Sequence, residues 1–283
     1  MFASIQEAFG SDFMQHALLA GMAVGALCAY LGVYVVLKRI VFVGVALAEM
    51  SSAGVALALW TAGVLGLEME EHNPLTMVGA VVLMLVGVLL FSVRWSARRV
   101  PPESTIGVGY AVAAAAGLLL MAHSAKGEAH VMQLLFGNIL YVSVREIWEF
   151  LAAAAAVALV HLLFAKELLF VAFDPQTADA VGYRTRRWEL LFYLTLGVTI
   201  AFAIRVAGVL LVFAMLVLPP VTALLLTRHL RRAFPVSAAL GVLPVGIGLY
   251  LSYVRDVPSA ACIVIVSFAL LLAAGGLSLL RRA

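Results

Sequence analysis

Glu49 is the one clear carboxylate deep inside an apolar run, VFVGVALAEMSSAGVALALW. At helical spacing Val45, Glu49 and Ser52 share a face, flanked by Gly44 and Gly54. A carboxylate beside hydroxyl groups suits a hard or borderline cation. An ionisable group at the middle of a spanning helix costs about 2.5–3.5 kcal/mol on insertion scales, so it normally faces a partner, a cavity or a substrate path. The competing reading is a protonated Glu49 hydrogen-bonded to a neighbouring helix. Arg205, between two apolar runs, is accounted for by snorkelling to the outer interface. His161, near the inner end of its run, reads as a packing histidine. His72 beside acidic residues, and His123 with Glu128 and His130, are ordinary metal-ligand types. Their spacing matches no closed site, and a solvated loop explains them.

A second constellation is DPQTADAVGYRTRRWE, Asp174 to Glu189, a polar island in a chain that is otherwise mostly hydrocarbon. Its helix-forming residues and Gly182 predict a short helix with a glycine C-cap. A basic-tailed helix standing alone between apolar runs reads as a docking surface on which a separate motor protein pushes. The sequence contains no G-x-x-x-x-G-K-[ST] loop, no H-E-x-x-H, no G-x-S-x-G and no paired-cysteine zinc pattern. This chain is therefore not expected to bind nucleotide through a P-loop itself, and no enzymatic activity is expected here.

The elements that position these residues are set by composition: of 283 residues, 65% are hydrophobic and 12% charged, and the mean hydropathy is +1.11. Apolar stretches near 20 residues match a hydrocarbon core about 30 Å thick at ~1.5 Å per helical residue. Spans are predicted at roughly 13–37, 42–66, 75–95, 104–123, 147–170, 189–204, 207–226, 235–254 and 259–280. That is eight or nine helices, because the pair meeting near Arg205 is hard to divide. His130 to Ser143 is apolar but short, and reads as a half-helix or interfacial piece. The strand alternation of a membrane barrel is absent, so the fold class is all-α, a polytopic bundle.

Sorting the 18 Lys and Arg by loop places 14 on one side and four, Lys126, Arg145, Arg205 and Arg255, on the other. The positive-inside rule puts the larger set in the cytoplasm, together with the 174–189 island and the C-terminus. The acidic loop around Glu68, Glu70 and Glu71 falls outside, in agreement. Nine spans put the N-terminus outside and eight put it inside. The basic residues thus read as topology signals, and no nucleic-acid partner is expected. No cleavable signal is expected, since residues 1–12 have no basic n-region. Cys28 and Cys262 fall within helices and read as packing residues. Gly21, Gly25 and Gly32, Gly79 and Gly87, and the run Ala111 to Ala116 predict close helix–helix contacts. Pro219-Pro220 interrupts a helical run, as a packing kink or as a moving hinge.

Taken in order, FMQHALLAGMAVGALCAYLGVYVVLKRIVFVGVALAEMSSAGVAL, LLFGNILYVS, ELLFVAFDPQTADAVGY and IRVAGVLLVFAMLVLPPVTALLLTRHLRR resemble the permease subunits of zinc, manganese and iron ABC transporters. The likeness runs from about Phe13 to Leu280. It implies a type II ABC importer permease, a single transmembrane domain over residues 1–283 in the cell membrane. It also implies a second copy of this chain, an ATPase on each copy carrying the ATP, and an extracytoplasmic metal-binding receptor. The chain itself would bind no cofactor and would pass a divalent metal ion. The resemblance places Asp174, Ala178, Asp179 and Gly182 in the coupling helix seated on the ATPase. One departure is marked. Typical members read G-D-A-L-x-H in the second span, with Asp and His facing the metal; here those positions are Val45 and Glu49. A position often Asp in the L-F-G-D-I-L stretch is Asn138. With Ser52, Pro219 and Pro220 these complete the expected pathway or gating residues, with Glu49 as a transient metal contact. Losing the imidazole weakens a preference for zinc. Lost ligands also leave import of a metal chelate, such as a siderophore or cobalamin, as an alternative. A proton-coupled transporter using Glu49 is a further one, and a non-transporting scaffold another.

Overall fold

The computed structural model describes residues 10–65, 74–92, 101–122 and 139–280, and these contain no strand. Its helices are α1 (Asp12–Leu37), α2 (Val43–Val64), α3 (Pro74–Ser92), α4 (Pro102–Ala122), α5 (Val144–Leu163), α6 (Ala165–Phe173), α7 (Pro175–Ala180), α8 (Thr185–Leu226), α9 (Leu230–Arg255) and α10 (Ser259–Leu280). A single 3-10 turn, Ile139–Tyr141, precedes α5. Eight of the helices are long and apolar enough to cross a membrane, and the chain is a multi-pass membrane protein.

One boundary differs from expectation, and one expected division is found a few residues further on. The predicted span 147–170 ends at Leu163, because Phe164 leaves helical geometry (φ −114°, ψ 25°) and Lys166 and Glu167 open the separate helix α6. The division expected near Arg205 is present: α8 holds two helical pieces joined at Gly208, whose backbone is non-helical (φ 76°, ψ 162°). Its 42 residues at ~1.5 Å each suffice for two crossings of the hydrocarbon. The glycine is required there, since a side chain disfavours such a backbone. Of the His130 to Ser143 piece, only the end lies within the described residues, and it holds the 3-10 turn.

The chain divides into two compact units. The first comprises Met1–Leu37, Leu135–Leu159 and Phe202–Ala283. Its centre is α1 against α9, where Gly25 and Gly241 face each other so closely that a Cβ on either would meet the other's carbonyl oxygen. Ser237 donates a 2.7 Å hydrogen bond from α9 to the Ala29 carbonyl of α1, a contact worth ~0.6 kcal/mol on average in membrane helices. Phe234 closes the inner end over Tyr34 and Tyr30, with centroids 4.8 and 5.2 Å away. Gly248 gives α10 the same close approach at Ile263.

The second unit comprises Lys38–Leu134 and Val160–Ala201. Here α2 is the hub. Gly54 meets the backbone of Gly79 on α3, Met50 fills the space over Gly87, and Ala53 lies beside Gly117 of α4. Met84 and Val88 of α3 pack onto Gly197 in the first half of α8. His161 is fully buried and lies 2.9 Å from the Thr195 hydroxyl, which fits the packing role expected of it. The predicted glycine contacts on α1 and α3 are thus present. The alanine run on α4 is used only in part: Ala113 is buried, whereas Ala111 and Ala115 are exposed. Cys28 is buried on α1 and Cys262 lies on α10, both as free thiols.

Candidate functional site: a capped docking helix and a carboxylate face

The 174–183 segment is built to hold one shape. Asp174 is the N-cap of α7, and Pro175 occupies the first helical position, where its missing N–H costs nothing. Both carboxylate oxygens are used: Thr177 N donates at 3.0 Å and the Thr177 hydroxyl at 2.5 Å. The Thr177 hydroxyl foremost, then the Thr177 amide, holds the Asp174 carboxyl below its ordinary range. A lowered pKa means the cap is present above the ordinary carboxylate range and is lost only as pH falls through the lowered value. At the other end Tyr183 N donates to Ala178 O at 2.9 Å and Gly182 N to Asp179 O at 3.0 Å. That pair of bonds is a Schellman closure. It needs the left-handed backbone of Gly182 (φ 96°).

The capped helix is tied to its surroundings on one side only. Ala178 is fully buried, Tyr183 packs edge-on against Phe170 of α6 (5.5 Å), and Asp179 accepts from the Thr185 hydroxyl at 2.5 Å. Trp188 of α8 rests against Phe164 at 5.3 Å. Facing outward are Phe173, Gln176, Ala180 and Val181, with Arg184, Arg186 and Arg187 beside them. The segment thus presents a largely apolar tip with a cationic border on a stiff base. Exposed apolar side chains of this kind mark interaction sites when they are contiguous and rimmed by polar groups.

The second feature lies on α2. Val45, Glu49 and Ser52 are all half-buried, on one face, as the helical spacing predicts. The opposite face, Ala46, Met50, Ala53 and Gly54, is consumed by packing within the unit. Glu49 is therefore not a core group of its own unit. No cluster of three or more His, Cys, Asp or Glu able to hold a metal occurs among the described residues. What the face carries is one carboxylate with a hydroxyl one turn away.

Pro219 and Pro220 belong to the other unit, in the second half of α8, and both are buried. Pro220 cannot donate to the Leu216 carbonyl, and that oxygen lies against Gly32 of α1, where a Cβ would meet both it and the Pro220 ring. The proline pair is thus keyed to a glycine on a neighbouring helix, which favours the packing reading of the two prolines. Asn138, the remaining expected pathway residue, lies outside the described residues, as do His72, His123, Glu128 and His130.

Two polar pairings went unread in the sequence. Arg205 is answered by Glu146 (3.8 Å) and Glu149 (3.6 Å) in the first turns of α5, so snorkelling alone does not explain it. The available signal was the S-x-x-E start at Ser143, a capping box: Ser143 N and Oγ donate to Glu146 at 3.0 and 2.9 Å. Lys38, read only as a topology signal, pairs with Glu189 at 3.6 Å.

Known proteins resemble this chain along almost its whole length. A model of the ABC 3 transport family matches residues 10–277. The manganese transport system membrane protein MntC of Halalkalibacterium halodurans is 31% identical over 256 residues, 90% of this chain and 84% of that protein. The chelated iron transport system membrane protein YfeD of Yersinia pestis is 29% identical over 266 residues, 94% of this chain and 86% of that protein. Among solved structures, PsaBC from Streptococcus pneumoniae in complex with Fab superposes with a TM-score of 0.81 at 26% identity, over 97% of this chain and 95% of that chain.

Proposed function

This chain belongs to the ABC 3 transport family, and from that premise we propose that it is the permease subunit of an importer for a divalent transition metal ion, driven by ATP hydrolysis on a separate ATPase. The observation that carries this reading is the short helix α7, fixed at both ends and presenting an apolar, arginine-bordered tip. A lever must be stiff where it is pushed and anchored where it transmits, and the two caps and the Asp179–Thr185 bond give it both properties. The names of the manganese and chelated-iron relatives support a metal cargo.

In this scheme two copies of the chain enclose the path, an ATPase sits on each α7, and an extracytoplasmic receptor delivers the ion. ATP-driven closure of the ATPases displaces α7 and the base of α8, and the path opens to the other side. Glu49 offers the passing ion one oxygen contact, which suits a transporter because what is bound must also be released. With a carboxylate at the position where typical members carry an imidazole, the path favours manganese over zinc.

Manganese uptake by a deletion strain tests the proposal. Expression of this chain with its ATPase and receptor should restore accumulation, and a Walker-lysine variant of the ATPase should remove it. Accumulation that persists with the inactive ATPase would overturn the reading.

A further inference from the structure

An ion pair outside the docking helix connects that helix to the span carrying Glu49. α1 ends at Leu37, Arg39 takes a left-handed φ of 56°, and the turn feeds directly into α2. Lys38, in that turn, lies 3.6 Å from Glu189 Oε1 near the start of α8. The two side chains are only 10% and 13% exposed. The Lys38 ammonium also sits 5.8 Å from the Phe192 ring centroid, further along the same helix. Glu189 is one helical turn beyond Thr185, whose hydroxyl holds Asp179 of α7. A continuous set of contacts therefore runs from α7 through one rigid turn of α8 to the α1–α2 turn and on into α2.

A Lys–Glu pair this far withdrawn from water is not an ordinary surface pair of small effect. Removing one member takes a close opposite charge from the other in a poorly hydrated place, so the pair ties the two backbones together. We propose that Lys38 and Glu189 are positioning residues whose ion pair makes the α1–α2 turn follow the base of α8, so that displacement of α7 by the ATPase reaches the helix bearing Glu49. The proposal rests on the coupling role given to α7 above. It adds the route by which the push arrives at the path.

The test uses the full complex of permease, ATPase and receptor in proteoliposomes, with manganese uptake and ATP hydrolysis measured side by side. Lys38→Met and Glu189→Gln should still hydrolyse ATP and retain the ATPase, but ions moved per ATP should fall about tenfold, within the usual range of coupling between sites. The charge exchange Lys38→Glu with Glu189→Lys should bring that ratio back to within about twofold of the original. A merely structural pair would lower hydrolysis and uptake together and leave their ratio unchanged, which overturns the proposal. Uncoupled single variants with no recovery in the exchange also overturn it. If the single variants fail to accumulate in the membrane, the neutral double variant Lys38→Gln with Glu189→Gln takes their place: a ratio about tenfold lower supports the link and an unchanged ratio refutes it. Failure of the coupling reading itself would show differently, as an unaltered chain that moves no manganese when ATP is hydrolysed.

Discussion

In the proposed scheme Glu49 is a minimal contact for a passing ion. A side chain committed to tight binding would be surrounded by further ligands, yet no cluster of three metal-binding side chains exists among the described residues. The carboxylate instead lies on the face of α2 that its own unit leaves half-buried, with Ser52 one turn away. Glu49→Gln keeps the shape and removes the charge. Manganese uptake in complemented cells should fall about tenfold, as expected for losing a charge-assisted contact of ~1.5 kcal/mol, while the amount of ATPase recovered with the chain stays the same. Unaltered accumulation would remove Glu49 from the path. The placement of this residue was legible in the sequence, because an isolated carboxylate in an apolar helix can be located by spacing alone. The partners of Arg205 were not legible, since they come from a helix about 60 residues away along the chain and only tertiary packing of α5 brings them together.

At the scale of elements, α7 owes its shape to local rules that outweigh its length. Six residues are too few to be helical in isolation, so Asp174, Pro175 and Gly182 must fix both ends. Gly182→Ala forces a side chain into a left-handed backbone at a cost of about 1–2 kcal/mol. The substituted chain should insert normally, because the strain lies outside the spans, and receptor-stimulated ATP hydrolysis in the reconstituted complex should drop severalfold. Full stimulation would show that the closure at Gly182 is not part of the docking surface. The cap at Gly182 was legible in the sequence, whereas the cap at Asp174 and Pro175 went unread although D-P is a local helix-start signal. The anchor was not: Thr185 looks like the start of the next helix, and its bond to Asp179 depends on how α7 folds back on α8. The end of α5 at Leu163 was misjudged for a related reason, since apolar residues on both sides of Lys166 and Glu167 hid a change of helix.

For the whole molecule, the distribution of charge and the length of α8 bear on the same question. Arg184, Arg186 and Arg187 stand before α8, and Arg228, Arg231 and Arg232 after it. The positive-inside rule assigns both groups to the cytoplasmic face, and a run of 42 residues broken at Gly208 is long enough to leave that face and return. The paired Arg205 lies three residues before that break, and the charge count expects it at the outer end with Arg145. In such a molecule the spans form the path, and the only described segment shaped for an outside force is the one around α7. The most direct measurement of that claim is manganese flux into proteoliposomes holding this chain alone, then holding it with its ATPase, receptor and ATP. The account predicts no flux from the chain alone, with or without a proton gradient, and ATP-dependent uptake in the complete assembly. Flux through the unaccompanied chain would contradict it.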